Sequence, residues 1–162
     1  MSLSACFAPN LRVGGSDDGE MSERREPDPE LLAAATEAHR RAYCPYSHYR
    51  VGAAIRTASG AVITGCNVEN AAFPLGSCAE AGAIAAMVLA GERSIVEIVV
   101  VTDGDTPGTP CGGCRQRIRE FAGAGLWVHS VSSNGATVST TLDELLPHSF
   151  GPEFLEDDPE TL

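Results

Sequence analysis

Residues 78–90 read Cys78-Ala79-Glu80-Ala81-Gly82-Ala83-Ile84-Ala85-Ala86-Met87-Val88-Leu89-Ala90. Nothing in this run breaks a helix, and Gly91 after it suits a C-terminal cap. Glu80 is its only charged side chain. A helix apolar all round is covered all round. It predicts a sheet against one face and another layer or subunit against the other. A buried helix that opens on a cysteine and an acid places both at its positive end.

Outward from this helix the pattern is α/β. Asp28-Pro29-Glu30 combines an N-cap, a first-turn proline and an acid facing the helix dipole. Leu31, Ala35, Ala38 and Ala42 then share one face, and Pro45 stops the run. Tyr49–Thr57 and Ala61–Val68 read as strands joined through Ser59-Gly60. Ile95–Thr102 contains Val99-Val100-Val101, too continuous for a half-exposed edge strand. Residues 111–122 read as a helix with Ile118, Phe121 and Ala122 inward. Leu126–Ser132 and Ala136–Thr140 flank Asn134-Gly135, a strong hairpin signal that makes these last strands antiparallel. Thr141-Leu142-Asp143-Glu144 is a capping box opening a short helix. The order predicts a three-layer α/β/α domain: a mixed sheet of about five strands with helices on both faces.

The chain has 162 residues, 43% hydrophobic and 20% charged, with a net charge of −11. That is enough chain to bury one core without disulfide staples. Residues 1–26 read as an unstructured polar extension, residues 27–155 as the folded domain, and residues 156–162 as a solvated acidic tail. The negative charge argues against a nucleic acid polymer as partner and against an anionic membrane surface. No apolar run approaches the ~20 residues of a membrane span, and no secretory signal pattern opens the chain. The expected compartment is the cytoplasm.

There the six cysteines are reduced, so metal binding or catalysis outranks disulfides. Cys6, Cys44 and Cys66 read as non-functional. Cys111-Gly-Gly-Cys114 alone fits a redox dithiol, half a zinc ribbon or chance. Neither a dithiol nor chance accounts for Cys78 beside Glu80. Pro110 sets the entry to the helix that begins at Cys111, so two helix N-termini present sulfur. That position favours the thiolate, the metal-binding form. Three thiolates leave a fourth tetrahedral position open on zinc, the pattern of a catalytic site. Glu80, in a dry setting that raises a carboxyl pKa, is the natural proton carrier. The four histidines fit no ligand spacing.

Cys78-Ala79-Glu80 with Pro110-Cys111-x-x-Cys114-Arg115-Gln116 resembles the signature of the zinc-dependent cytidine deaminases. Three further segments strengthen the resemblance, in the same order as in that family. They are Tyr43-Cys44-Pro45-Tyr46-Ser47-His48-Tyr49-Arg50-Val51-Gly52-Ala53-Ala54, Gly65-Cys66-Asn67-Val68-Glu69-Asn70-Ala71-Ala72-Phe73, and Leu145-Leu146-Pro147-His148-Ser149-Phe150. The likeness covers roughly residues 29–155. It implies zinc held by Cys78, Cys111 and Cys114, with Glu80 as proton shuttle. It further implies Asn67 and Glu69 on the ribose 3′-hydroxyl, Tyr49 lining the pocket, the Ala79 backbone on the pyrimidine carbonyl, and Phe150 reaching the base from a neighbouring subunit. Cysteine as the first ligand is similar to the small homotetrameric branch.

The implied reaction is hydrolytic deamination of cytidine and 2′-deoxycytidine. The rivals are a deaminase of another aminopyrimidine nucleoside such as blasticidin S, a polynucleotide-editing deaminase, and an inactive zinc-stabilised homologue. The acidic charge and the antiparallel last strands disfavour the editing enzymes. Two positions depart from the family pattern. Ala81 stands where the family often has an arginine that offsets the thiolates, with Arg115 as a conceivable substitute. Phe73 stands where the family often has tyrosine.

Overall fold

The computed structural model describes residues 26–155. The extension before Glu26, Cys6 and the acidic tail from Glu156 lie outside them.

Five strands form one sheet in the order β2-β1-β3-β4-β5: β1 (Val51–Thr57), β2 (Val62–Cys66), β3 (Ile95–Thr102), β4 (Trp127–Ser132) and β5 (Thr137–Thr141). Only β3 and β4 run parallel; β1–β2, β1–β3 and β4–β5 are antiparallel. The hairpin expected at Asn134-Gly135 is present, with Gly135 at φ 92°, a conformation glycine adopts without a Cβ clash.

Side chains alternate between two cores, as strand geometry requires. Ala53, Ile55, Ile98, Val100 and Val128 pack with Ala79, Ala83, Ile84 and Met87 of α2 (Ala79–Leu89) and with Ile118 of α3 (Gly112–Arg119). Ala54, Val99, Val101 and Val131 face the other way, against Leu31 and Ala35 of α1 (Pro29–Arg40). The three layers and the central, buried β3 are as the sequence predicts. A short α4 (Leu142–Leu145) follows the capping box, where the Glu144 carboxylate accepts the Thr141 N–H at 2.9 Å.

Element ends depart from expectation where tertiary hydrogen bonds take over. α1 stops at Arg40, well before Pro45, because the chain turns so that the Tyr43 N–H reaches the Asn67 carbonyl at 3.0 Å. β1 begins at Val51 rather than Tyr49; His48 sits at φ 56°, which no strand continues through. α3 ends at Arg119, short of residue 122, and the Phe121 carbonyl accepts the Ile95 N–H instead. Among the described residues, α2 is covered on the side of the sheet and of α3. Its outer face, with Ala85 and Leu89, is left open by them, and Leu89 is 89% exposed.

Candidate metal and active site

The site lies where the N-termini of α2 and α3 converge. Cys78 and Cys111 are the N-cap residues of the two helices, and Cys114 sits in the first turn of α3. Their sulfur atoms all lie within 4.8 Å of one another, with Cys78 Sγ 3.9 Å from Cys111 Sγ. Zn–S bonds of ~2.3 Å in a tetrahedron separate sulfurs by about 3.8 Å. The donor set and its spacing therefore fit zinc.

The three thiols differ in their surroundings. The Cys114 backbone N–H holds the Cys111 thiol below its ordinary pKa, while burial pushes Cys78 and Cys114 above theirs. The expectation that the helix ends favour all three thiolates is thus met at Cys111 alone. Coordination to a divalent cation deprotonates such thiols outright. Glu80 is 4% exposed. Burial raises its carboxyl, opposed by its own backbone N–H, the Cys114 thiol and the Arg117 charge.

A cavity of about 310 Å³ opens over this cluster, lined by Cys78, Ala79, Glu80 and Cys111 on the helix side and by Tyr49, Asn67 and Glu69 opposite. Its size and mixed lining suit a small ligand. The structure thus brings seven of the nine expected site residues to one cavity. Cys114 lies buried behind them in the sulfur cluster.

Phe150 is the residue it does not bring there. The Phe150 ring is 57% exposed and stacks on Phe154 with centroids 5.2 Å apart. The Phe150 carbonyl accepts from Gln116 Nε2 at 2.9 Å.

Asn67 and Glu69 also hold the pocket wall itself. Asn67 Oδ1 accepts the Val51 N–H at 2.8 Å and Nδ2 donates to the Tyr49 carbonyl at 2.9 Å. One carboxylate oxygen of Glu69 accepts the N–H groups of Tyr46 and Ser47 at 2.9 and 3.2 Å. Hydrogen bonds from Ser47 and Tyr46 keep Glu69 ionised, holding its carboxyl below the usual range.

Arg115 takes no place beside the sulfurs. Its guanidinium donates to the carbonyls of Pro110 (2.7 Å) and Leu145 (2.8 Å) and to the Thr109 hydroxyl (3.0 Å), bracing the loop before α3 against α4. Phe73 is exposed and meets the Tyr46 ring edge-on at 5.9 Å.

Gly108 and Gly65 were not singled out by the sequence pattern, yet both shape the site. A Cβ at Gly108 would lie 2.8 Å from the Tyr49 hydroxyl. Gly65, inside β2, lies directly under α2, and a glycine inside a strand is the sequence signal for such close approach.

Nucleobase deaminases that work through zinc include a three-cysteine variant of this sulfur set, with a glutamate that is not a ligand moving the proton. The fold and site define that class. Residues 25–130 match the family model for the cytidine and deoxycytidylate deaminase zinc-binding region. A cytidine deaminase of Sporosarcina psychrophila is 40% identical over 125 residues, covering 77% of this chain and 92% of that one. A cytidine deaminase of Mycobacterium tuberculosis is 38% identical over 122 residues, covering 75% and 87%. The crystal structure of cytidine deaminase from Burkholderia pseudomallei superposes with a TM-score of 0.71 at 41% identity, covering 75% of this chain and 97% of that one. The chain belongs to the cytidine and deoxycytidylate deaminase family, whose members are zinc-dependent hydrolases.

Proposed function

We propose that the protein hydrolyses cytidine and 2′-deoxycytidine to uridine and 2′-deoxyuridine, releasing ammonia, in pyrimidine salvage. The observation that carries this reading is Glu80: a buried carboxylate beside three clustered cysteines, facing a cavity that suits a nucleoside. Zinc held by Cys78, Cys111 and Cys114 supplies Lewis acidity, which makes water nucleophilic near neutral pH.

Glu80 does the proton work. It takes a proton as water oxygen bonds to C4 of the base, and donates to N3. It then takes the remaining proton from the new C4 hydroxyl and gives it to the amine as the C4–N4 bond breaks and the C4 carbonyl forms, so the leaving group departs as ammonia. A carboxyl raised by burial suits both directions of transfer. The Ala79 backbone at the mouth of α2 meets the pyrimidine carbonyl, and Tyr49 packs along the ring.

Asn67 and Glu69 are assigned to the ribose 3′-hydroxyl. Each has capacity left after its bonds to the backbone: the second Nδ2 hydrogen of Asn67 and the second carboxylate oxygen of Glu69. Their hold on residues 46–51 means the same side chains fix the wall and read the sugar.

The functional unit is a homotetramer with shared active sites. The open outer face of α2 supports a subunit contact there. The exposed Phe150 supports a ring that closes a neighbour's pocket rather than its own. Residues 27–155 form the zinc domain, and the compartment is the cytoplasm. Among the described residues no helix is long and apolar enough to cross a membrane.

Ammonia release from cytidine, deoxycytidine, cytosine, CMP and blasticidin S tests the reading. Turnover of the first two, with the free base and the nucleotide poor, is the expected result. Turnover of blasticidin S alone selects the other nucleoside deaminase. Zinc content with no turnover at all selects an inactive homologue.

A further inference from the structure

Phe150 stands on a stretch that regular structure does not hold. Residues 146–151 lie between α4 and a single 3-10 turn at Pro152–Phe154, in no helix or strand. His148, at φ 55°, turns the chain there. The Phe150 ring is more than half exposed, so burial does not fix its direction. Side chains of α3 hold the stretch instead.

Gln116 and Arg119 are three residues apart on α3, a spacing that shares one helix face. Gln116 Nε2 donates to the Phe150 carbonyl at 2.9 Å. Arg119 grips the chain on both sides of that residue. Its Nε donates to the Ser149 hydroxyl at 3.1 Å, and its Nη2 pairs with the Glu153 carboxylate. Its Nη1 reaches back to the Ala122 carbonyl at 3.4 Å. The guanidinium is thus braced at the end of its own helix, where the dipole favours a cation. Gly151 lets the chain pass close by: a Cβ there would stand 2.6 Å from Arg119 Cζ. The Arg119 side chain is only 15% exposed, which makes it an internal strut rather than a surface charge. A planar fork with donors in fixed directions can hold several partners at once; an ammonium has no such fork.

We propose that Arg119, with Gln116, is a positioning residue for substrate binding: it fixes residues 149–153 so that the Phe150 ring projects, already ordered, toward a neighbour's pocket. The inference rests on the shared-site reading above. Arg119 itself touches no substrate. It acts through Phe150, by removing the cost of ordering that ring when a nucleoside binds. α3 thereby serves two sites. Its N-terminal end carries Cys111 and Cys114 for its own chain's pocket, and its last turn aims Phe150 at another's.

The test is steady-state cytidine kinetics of the wild type, Arg119→Gln, Phe150→Ala and the double variant. Each is assayed at a concentration where its zinc content and light-scattering mass equal those of the wild type. Arg119→Gln is expected to raise KM about 3- to 10-fold, the scale of ordering one interface side chain. Its kcat should not change, the pattern of lost binding rather than lost chemistry. In the Phe150→Ala background the same substitution is expected to add nothing, because the ring it positions is gone. Glu153→Gln cuts the grip from its exposed end and should move KM the same way by less; it carries both comparisons if Arg119→Gln does not fold. A wild-type KM in these variants, where Phe150→Ala raises it, overturns the proposal. So does a KM rise of equal size with and without Phe150, since the guanidinium then acts by another route. Phe150→Ala with a wild-type KM overturns the shared-site reading itself, a result distinct from either.

Discussion

Gly65 lies against the backbone of α2 so closely that a Cβ on it would stand 2.4 Å from the Ala79 carbonyl oxygen and 2.3 Å from the Ala83 nitrogen. The first turn of α2 carries Cys78 and Glu80, so this contact in β2 sets how deep the catalytic end sits. Backbone cannot yield as a flexible side chain does. Gly65→Ala is expected to lower stability by at least the ~1–3 kcal/mol typical of overpacking. It should also reduce zinc content by displacing Cys78 from the other sulfurs. Thermal unfolding and metal analysis of the purified variant read both effects; an unchanged melting temperature with full zinc refutes the claim.

Removing a ligand tests the sulfur set. Cys111→Ala leaves two thiols, one of them buried, in place of three. The variant is expected to lose zinc and activity together. Because structural zinc binding reaches ~10 kcal/mol and couples to folding, its melting temperature should fall as well. Full zinc occupancy in this variant removes Cys111 from the ligands.

Glu80→Gln keeps size and polarity and loses the proton-accepting oxygen. Zinc and nucleoside binding should persist while turnover falls at least ~100-fold, the scale of general acid–base catalysis. Equilibrium binding of cytidine to the loaded variant separates the two effects. Near-normal turnover means that another group carries the protons.

A pH effect on stability follows from the cap of α1. Asp28 accepts the N–H groups of Glu30 and Leu31 at 2.9 and 3.2 Å, and Arg56 lies 2.9 Å from its carboxylate. Burial pushes its pKa up, but the Leu31 N–H and the Arg56 charge outweigh burial and hold it below the ordinary 3.8. A depressed folded-state pKa gives stability present above the unfolded value and lost as pH falls through the folded one. Asp28→Asn keeps the cap and removes the charge. It is expected to cost less than about 1 kcal/mol at pH 7, with the gap to wild type closing below pH 3.8. Urea midpoints across pH 2–7 measure it, and a gap that persists at pH 2 rules the carboxylate out as its source.

Local signals in the sequence held wherever the determinant was local. The α1 cap at Asp28, the hairpin at Asn134-Gly135, the capping box at Thr141 and the apolar α2 are each written within a few residues. What the sequence hid depends on partners far along the chain. α1 ends at Arg40 because Tyr43 pairs with Asn67, and α3 ends at Arg119 because Phe121 receives Ile95. The sulfur triad was legible from spacing and residue type. The direction of each thiol's pKa was not, because burial opposes the helix ends at Cys78 and Cys114. The dual burden on Asn67 and Glu69 was equally hidden, since a motif names the ligand a side chain meets and not the backbone it also braces. Arg115 follows a metal ligand in sequence, yet its side chain turns to Leu145, thirty residues away.

Phe150 tests whether an active site needs a second chain. Its ring lies outside its own pocket, held by Gln116 at the carbonyl and by Phe154 at the face. If it closes a neighbour's pocket, Phe150→Ala removes a base–aromatic stack worth ~1–3 kcal/mol, a KM increase of about 5- to 150-fold. Zinc content should not change. Subunit mixing makes the test decisive. Glu80→Gln chains lack the proton carrier and keep Phe150, while Phe150→Ala chains have the reverse. Hybrids formed from the two contain sites in which an intact Glu80 meets an intact Phe150 across an interface. At low cytidine the mixture is expected to exceed the summed activity of its parents, with light scattering reporting a tetramer at the assay concentration. Activity that only averages the parents, or a fully active monomer, sinks both the shared site and the assembly.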